Sequence, residues 1–171
     1  MLKNAFTKED FNEGLLRFTN KEYEKSIESF SSVLEADPKF ELAYLSRGAA
    51  YMEAGKFYEA IADFDKGAEL NSENARVYHL RGIAYAKLGE YEKGLRDFDK
   101  AIELSPEYGA AFLSRANVHS ELGHKEEADE DMETVAFLEE KNLQTYADEN
   151  NVWRSRHLRL EAEGILAEID R

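Results

Sequence analysis

Residues 78–85 read YHLRGIAY, an arginine set among two tyrosines, a leucine, an isoleucine and two small residues. Outward from it, YLSRGAAY occupies 44–51 and FLSRANVH occupies 112–119. Arg47, Arg81 and Arg115 are therefore spaced by 34 residues, twice. A recurrence of that length is the mark of stacked supersecondary units, each of which buries its apolar faces only against its neighbours.

A 34-residue frame fits without insertion as 7–40, 41–74, 75–108 and 109–142. The eighth residue of each unit is Gly14, Gly48, Gly82 and Ala116, and the twentieth is Ser26, Ala60, Gly94 and Ala128. The twenty-fourth is Phe30, Phe64, Phe98 and Met132. Aromatics stand fourth in the last three units (Tyr44, Tyr78, Phe112), and Tyr51, Tyr85 and His119 stand eleventh. Apolar residues recur at helical spacing on two segments of each unit. Gly55, Gly89 and Gly123 fall where a left-handed residue closes the first helix; the first unit has Asn20-Lys21 there, and asparagine tolerates that conformation. Small residues at the eighth and twentieth positions allow two antiparallel helices to approach closely, and the aromatics fill the space between pairs.

This pattern resembles the tetratricopeptide repeat, a helix–turn–helix unit of 34 residues. Pro38 and Pro106 stand at the family's proline position, and Ser72 replaces it in the second unit. The resemblance implies an all-α, right-handed superhelix, an α-solenoid of antiparallel helix pairs with four units in residues 1–142. Residues 143–171 then form a C-terminal capping helix or a degenerate fifth repeat. Tyr146, Trp153, Ala162 and Leu166 continue the frame, but His157 stands where the turn glycine belongs. Leu158, Ala162, Ile165, Leu166 and Ile169 make an amphipathic stripe on either alternative.

The arginines have a structural explanation within the frame. The seventh residues are Glu13, Arg47, Arg81 and Arg115; the twenty-third are Ser29, Asp63, Asp97 and Asp131. Every unit with Arg has Asp, and the unit with Glu has Ser. Pairing within units, Arg47–Asp63, Arg81–Asp97 and Arg115–Asp131, leaves no orphan, whereas pairing across units sets Asp131 against Glu149. Charge-assisted hydrogen bonds between the two helices of a repeat are expected.

In the resembled family the first helices line a concave surface, and partners are held mainly by positions two, five, nine, twelve and thirteen. Carried over, the partner-binding candidates are Phe11, Leu15, Phe18, Leu42, Leu45, Ala49, Met52, Arg76, His79 and Ile83. The N-terminal half of this face is apolar, which suits an amphipathic helix or hydrophobic peptide. The alternative is that an internal segment or a second copy covers it. Co-chaperones of the family grip a C-terminal carboxylate with two lysines, two asparagines and an arginine. At those places this chain has Phe11, Leu15, Ser46, Arg76 and Leu80, so only Arg76 conforms.

Composition narrows the partners. The net charge is −14, with 36 acidic against 22 basic residues, which argues against general binding of phosphate backbones or anionic membranes. Cysteine is absent, excluding disulfides, thiolate catalysis and Cys-ligated zinc. The N-terminus lacks the apolar run of a signal peptide, so a cytoplasmic setting is expected. His79, His119, His124 and His157 form no close metal motif, and no phosphate loop or nucleophile elbow occurs. The expectation is a protein–protein interaction module with no cofactor, metal or enzymatic activity. Two alternatives stand beside it: a self-assembling homo-oligomeric scaffold, and a small acidic chaperone similar in length, charge and groove to those of type III secretion. His79 is expected as a solvated groove residue. The basic run WRSRHLR at 153–159 is expected to pack on the acidic KEEADEDME at 125–133.

Overall fold

A computed structural model describes residues 2–169, with side chains over 8–146 and at 148. The described residues are helical and contain no strand: α1 (Leu2–Thr19), α2 (Tyr23–Ala36), α3 (Glu41–Glu53), α4 (Phe57–Leu70), α5 (Ala75–Lys87), α6 (Tyr91–Leu104), α7 (Gly109–Leu122) and α8 (Lys125–Ile169). Each helix packs on the one before and the one after it in sequence, which makes the array a solenoid. The odd-numbered helices also touch one another, α1 with α3, α3 with α5 and α5 with α7, whereas the even-numbered ones do not. Odd helices therefore occupy the inside of the curve and even helices the outside, as in a tetratricopeptide superhelix.

Each helix pair is closed by a residue with positive φ: Gly55, Gly89 and Gly123 at 75–78° and, in the first unit, Lys21 at 62°. The left-handed position thus falls on Lys21 and not on Asn20. Only glycine reaches this region without steric cost, so Lys21 is a locally strained version of the same turn. The second helices end at Asp37, Asn71 and Ser105, all with extended backbone, and each is followed by Pro38, Ser72 or Pro106.

The tight crossing inside each pair rests on a size relation between the eighth and twenty-fourth positions. Phe30, Phe64 and Phe98 are fully buried, and each ring lies where a Cβ on Gly14, Gly48 or Gly82 would come within 2.5–2.6 Å of it. The fourth unit departs at both positions together: Ala116 carries a methyl and Met132 is the more adaptable side chain. In the first unit the Ser26 hydroxyl donates to the Gly14 carbonyl at 2.9 Å across the same crossing.

Helix α8 runs past residue 142, where the fourth unit ends, without a turn. At the positions filled by Asp37-Pro38, Asn71-Ser72 and Ser105-Pro106, the fourth unit has Glu139-Glu140. Glutamate is a good helix former and provides no stop. The side chains of Trp153, His157 and the stripe Leu158, Ala162, Ile165, Leu166 and Ile169 lie outside the described residues. The expected packing of 153–159 on 125–133 also falls there. Along one helix, however, the centres of those runs are about 40 Å apart, so the basic run does not double back on the acidic one.

Candidate functional site

The repeated arginines sit between helices and pin them. Arg47 Nε and Nη2 donate to Asp63 at 2.8 and 2.7 Å, Arg81 to Asp97 at 2.8 and 2.7 Å, and Arg115 to Asp131 at 2.9 and 2.6 Å. The within-unit pairing holds in all three units. The remaining Nη1 reaches the preceding unit: Arg47 to the Ser31 hydroxyl at 2.9 Å, Arg81 to Asp65 at 2.7 Å and Arg115 to Asp99 at 2.6 Å. This inter-unit contact was not anticipated from the sequence, although DFDK at 63–66 and 97–100 carries its signal in the second aspartate. The guanidinium also lies 5.4 Å from the Tyr78 ring centroid in Arg81 and 5.5 Å from Phe112 in Arg115, within cation–π range. Bidentate bonding to Asp97 and Asp131 holds the Arg81 and Arg115 charges above the ordinary arginine range. With Asp63, Asp97 and Asp131 buried, each bidentate pair pins the two helices of its repeat together.

On the inner face, Leu15, Phe18, Leu42, Leu45, Ala49 and Arg76 come together with Phe30, Ser46 and Leu80 around a cavity of about 150 Å³. It spans α1, α3 and α5. Leu15 and Leu42 are the exposed walls, at 41% and 48% of their free surface, and Arg76 stands exposed at the rim. Leu45 forms the floor: it is buried against Phe64 and Val77 and serves the core as much as the cavity. Ile83 lines a second hollow of about 470 Å³ nearer the C-terminus, with Ala86, Lys87, Ser114, Asn117 and Glu121.

Three expected groove residues line neither hollow. Phe11 is buried, its ring tilted against Phe30 and Phe40 with centroids 5.4 and 5.1 Å away, so it is core. Met52 is partly buried against the second-unit core. His79 is buried at 7% exposure and is not a solvated groove residue. Its Nδ1 lies 3.0 Å from the Tyr108 hydroxyl and its Nε2 2.9 Å from the Ser114 hydroxyl, which ties the third unit to the fourth. Burial pushes its imidazole below the usual histidine range, and the Arg76 charge acts in the same direction. Phe11, Leu45 and His79 all stand fifth in their units and all are buried, His79 because Tyr108 from the inter-unit turn closes over it.

Among the described residues no cluster of His, Cys, Asp or Glu could hold a metal ion. No described helix is long and apolar enough to cross a membrane.

Comparison with known proteins agrees with this geometry. The family model described as "Tetratricopeptide repeat" matches residues 75–108, and one described as "TPR repeat" matches 50–89. The solved structure of the second TPR of Spaghetti (RPAP3), bound to the HSP90 peptide SRMEEVD, is 32% identical. It has a TM-score of 0.56, and the alignment covers 59% of this chain and 94% of that one. The crystal structure of MamA superposes with a TM-score of 0.76 at 22% identity, covering 81% of each chain. A curated relative, the UDP-N-acetylglucosamine–peptide N-acetylglucosaminyltransferase of Giardia intestinalis, is 34% identical over 64 residues. That match covers 37% of this chain but only 4% of the transferase.

Proposed function

The chain belongs to the tetratricopeptide-repeat family, and on that premise we propose that it is a non-catalytic interaction module that holds an apolar segment of a partner protein on its inner face. The observation that carries this reading is the cavity walled by Leu15, Phe18 and Leu42 with Arg76 at its rim. Exposed leucines around a concavity cost solvation free energy in the unbound chain and recover it when an apolar side chain enters. An amphipathic helix or extended peptide with a leucine, phenylalanine or methionine anchor fits this chemistry. A cavity of this size takes one such side chain, and Arg76 offers an acid or a carbonyl of the same peptide a charged donor.

The RPAP3 neighbour is bound to the acidic HSP90 peptide SRMEEVD, and the resembled co-chaperones grip a carboxylate with a polar and basic set. In this chain Leu15, Ser46, Arg76 and Leu80, four of the five corresponding residues, all line the cavity, and only Arg76 is charged. This supports a site at the family's position whose chemistry is apolar in place of polar. The cost of burying an acidic tail against Leu15 and Leu80 without hydrogen-bond donors disfavours that ligand here.

Selection from a displayed peptide library tests the reading, with SRMEEVD as a comparison ligand. Selected peptides are expected to share a large apolar anchor, to lose binding at least about tenfold on Leu42→Glu or Leu15→Glu, and to outcompete SRMEEVD. Binding that survives both substitutions, or a preference for SRMEEVD, overturns it. Leu45→Glu is unsuitable for this purpose because Leu45 belongs to the core.

A further inference from the structure

The joint between consecutive repeats recurs inside the chain and is left open at its end. The fifth residue is buried in each of the first three units (Phe11, Leu45, His79), and the twenty-fourth is fully buried there (Phe30, Phe64, Phe98). In the fourth unit the same positions, Leu113 on α7 and Met132 on α8, are 42% and 46% exposed. Ala136, one turn after Met132, is exposed as well. The chain does not turn back to cover them, because α8 runs straight on past residue 142.

The internal joints show what such a face accepts. Each is closed by the first helix of the next unit through its third, seventh and tenth residues, which share one helix face at i, i+4 and i+7. Ala43 and Ala50 are buried with Phe30 and Val33 of the first unit, and Val77 and Ala84 with Ile61 and Phe64 of the second. Between them the arginine sends Nη1 back to the twenty-fifth residue of the preceding unit, Arg81 to Asp65 and Arg115 to Asp99. In the fourth unit the twenty-fifth residue is Glu133, which is exposed and, among the described residues, holds no cation. Residues 126–140 carry eight acids and no lysine or arginine, so this face calls for a basic partner.

A second copy does not supply the missing helix. The corresponding face of α1 presents Glu9, Glu13 and Leu16, and Glu13 is taken by Arg17 of its own helix. Copies stacked end to end would bring Glu9 and Glu13 onto Glu133 with no arginine at the seventh position, and like charges entering a desolvated joint are costly.

We propose that the C-terminal end of the array, at Leu113, Met132, Glu133 and Ala136, docks a helix of another protein that carries small apolar residues at i and i+7 and an arginine at i+4. That helix takes the place of a fifth repeat's first helix. Its arginine meets Glu133 as Arg81 meets Asp65, and its small residues let it lie close against Met132 and Ala136. The end face shares no residue with the inner-face cavity, so this docking is independent of what the cavity holds.

The chain's own first unit, rewritten to the pattern, is the probe. A full-length donor carries Glu9→Ala, Glu13→Arg, Leu16→Ala and Ser29→Asp, the last to hold the new guanidinium as Asp97 holds Arg81, with Leu113→Glu to close its own end. If Ser29→Asp lowers helix content, the same donor with Ser29 kept serves in its place. Titrated calorimetrically into the unaltered chain, the donor is expected to form a one-to-one complex, whereas the unaltered chain used as donor forms none. Leu113→Glu or Glu133→Arg in the acceptor, both at exposed positions, is expected to raise the dissociation constant at least about tenfold with helix content unchanged. A donor that keeps Glu13 and Ser29 is expected to recover binding to the Glu133→Arg acceptor, the mark of a direct charge pair. A helical donor that forms no complex overturns the proposal. So does a complex indifferent to both acceptor substitutions, one abolished instead by Leu42→Glu in the groove, or equal binding by the unaltered chain as donor.

Discussion

Gly82→Ala sets two well-measured effects against each other. Alanine is the better helix former by about 1 kcal/mol at an interior position, so propensity alone predicts stabilisation. The tertiary structure predicts the opposite. A Cβ at residue 82 stands 2.6 Å from Phe98 Cε1, 2.9 Å from Cδ1 and 3.1 Å from the Gly94 carbonyl oxygen, against 3.4–4 Å for ordinary contact. Relief requires the Phe98 ring to move by about 1 Å, and that ring is fully buried and packed on His79, with centroids 5.9 Å apart. Overpacking of this kind costs about 1–3 kcal/mol, so after the propensity gain a net loss of about 0–2 kcal/mol is expected. Urea denaturation followed by far-ultraviolet circular dichroism measures it. The decisive comparison is the same substitution in a Phe98→Met background, which copies the natural Ala116/Met132 pairing of the fourth unit. There the loss should vanish or reverse, giving a coupling of at least about 1 kcal/mol between the two sites. If Gly82→Ala stabilises the wild type, or loses equally in both backgrounds, the size relation between the eighth and twenty-fourth positions is refuted.

The two aspartates on Arg81 should differ sharply. Asp97→Ala strips a carboxylate 9% exposed from a bidentate pair and is expected to cost about 3–5 kcal/mol, whereas Asp65→Ala, at 48% exposure, should cost less than about 1 kcal/mol, both read by denaturation midpoint. Lys21→Gly relieves a left-handed backbone at φ 62° and should stabilise the first unit by about 0.5–1 kcal/mol, visible as a higher melting temperature; an unchanged value counts against strain there. His79 is held neutral by burial, with Tyr108, Ser114 and Phe98 around it and the Arg76 charge nearby. Its folded-state pKa lies below the ordinary 6.5, so the unfolded chain binds the extra proton first. The contribution of His79 is therefore complete above that value and declines as pH falls through and below it. His79→Gln should flatten this part of the stability–pH curve, and an unaltered slope assigns it to the carboxylates.

The sequence by itself determined the repeat, the glycine turns between the two helices of a unit, and the Arg–Asp pairs. Each of these depends on local spacing: 3.6 residues per turn brings the seventh residue of one helix opposite the twenty-third of the next whenever the pair is antiparallel. The end of the fourth unit was legible too, in Glu139-Glu140 where the other units carry a stop, but a missing stop draws less notice than a present motif. What only the tertiary structure decided depends on how consecutive pairs rotate against each other. That rotation brings Asp65 and Asp99 up to the next unit's arginine and closes Tyr108 over His79. It sinks Phe11 and Leu45 into the core while leaving Leu15 and Leu42 at the surface. All four are apolar residues of the first helices, indistinguishable by type. A pattern along one helix fixes which side of it is apolar; how much of that side the neighbouring helices cover is set by the angle at which they cross, and that angle is a property of the packed array.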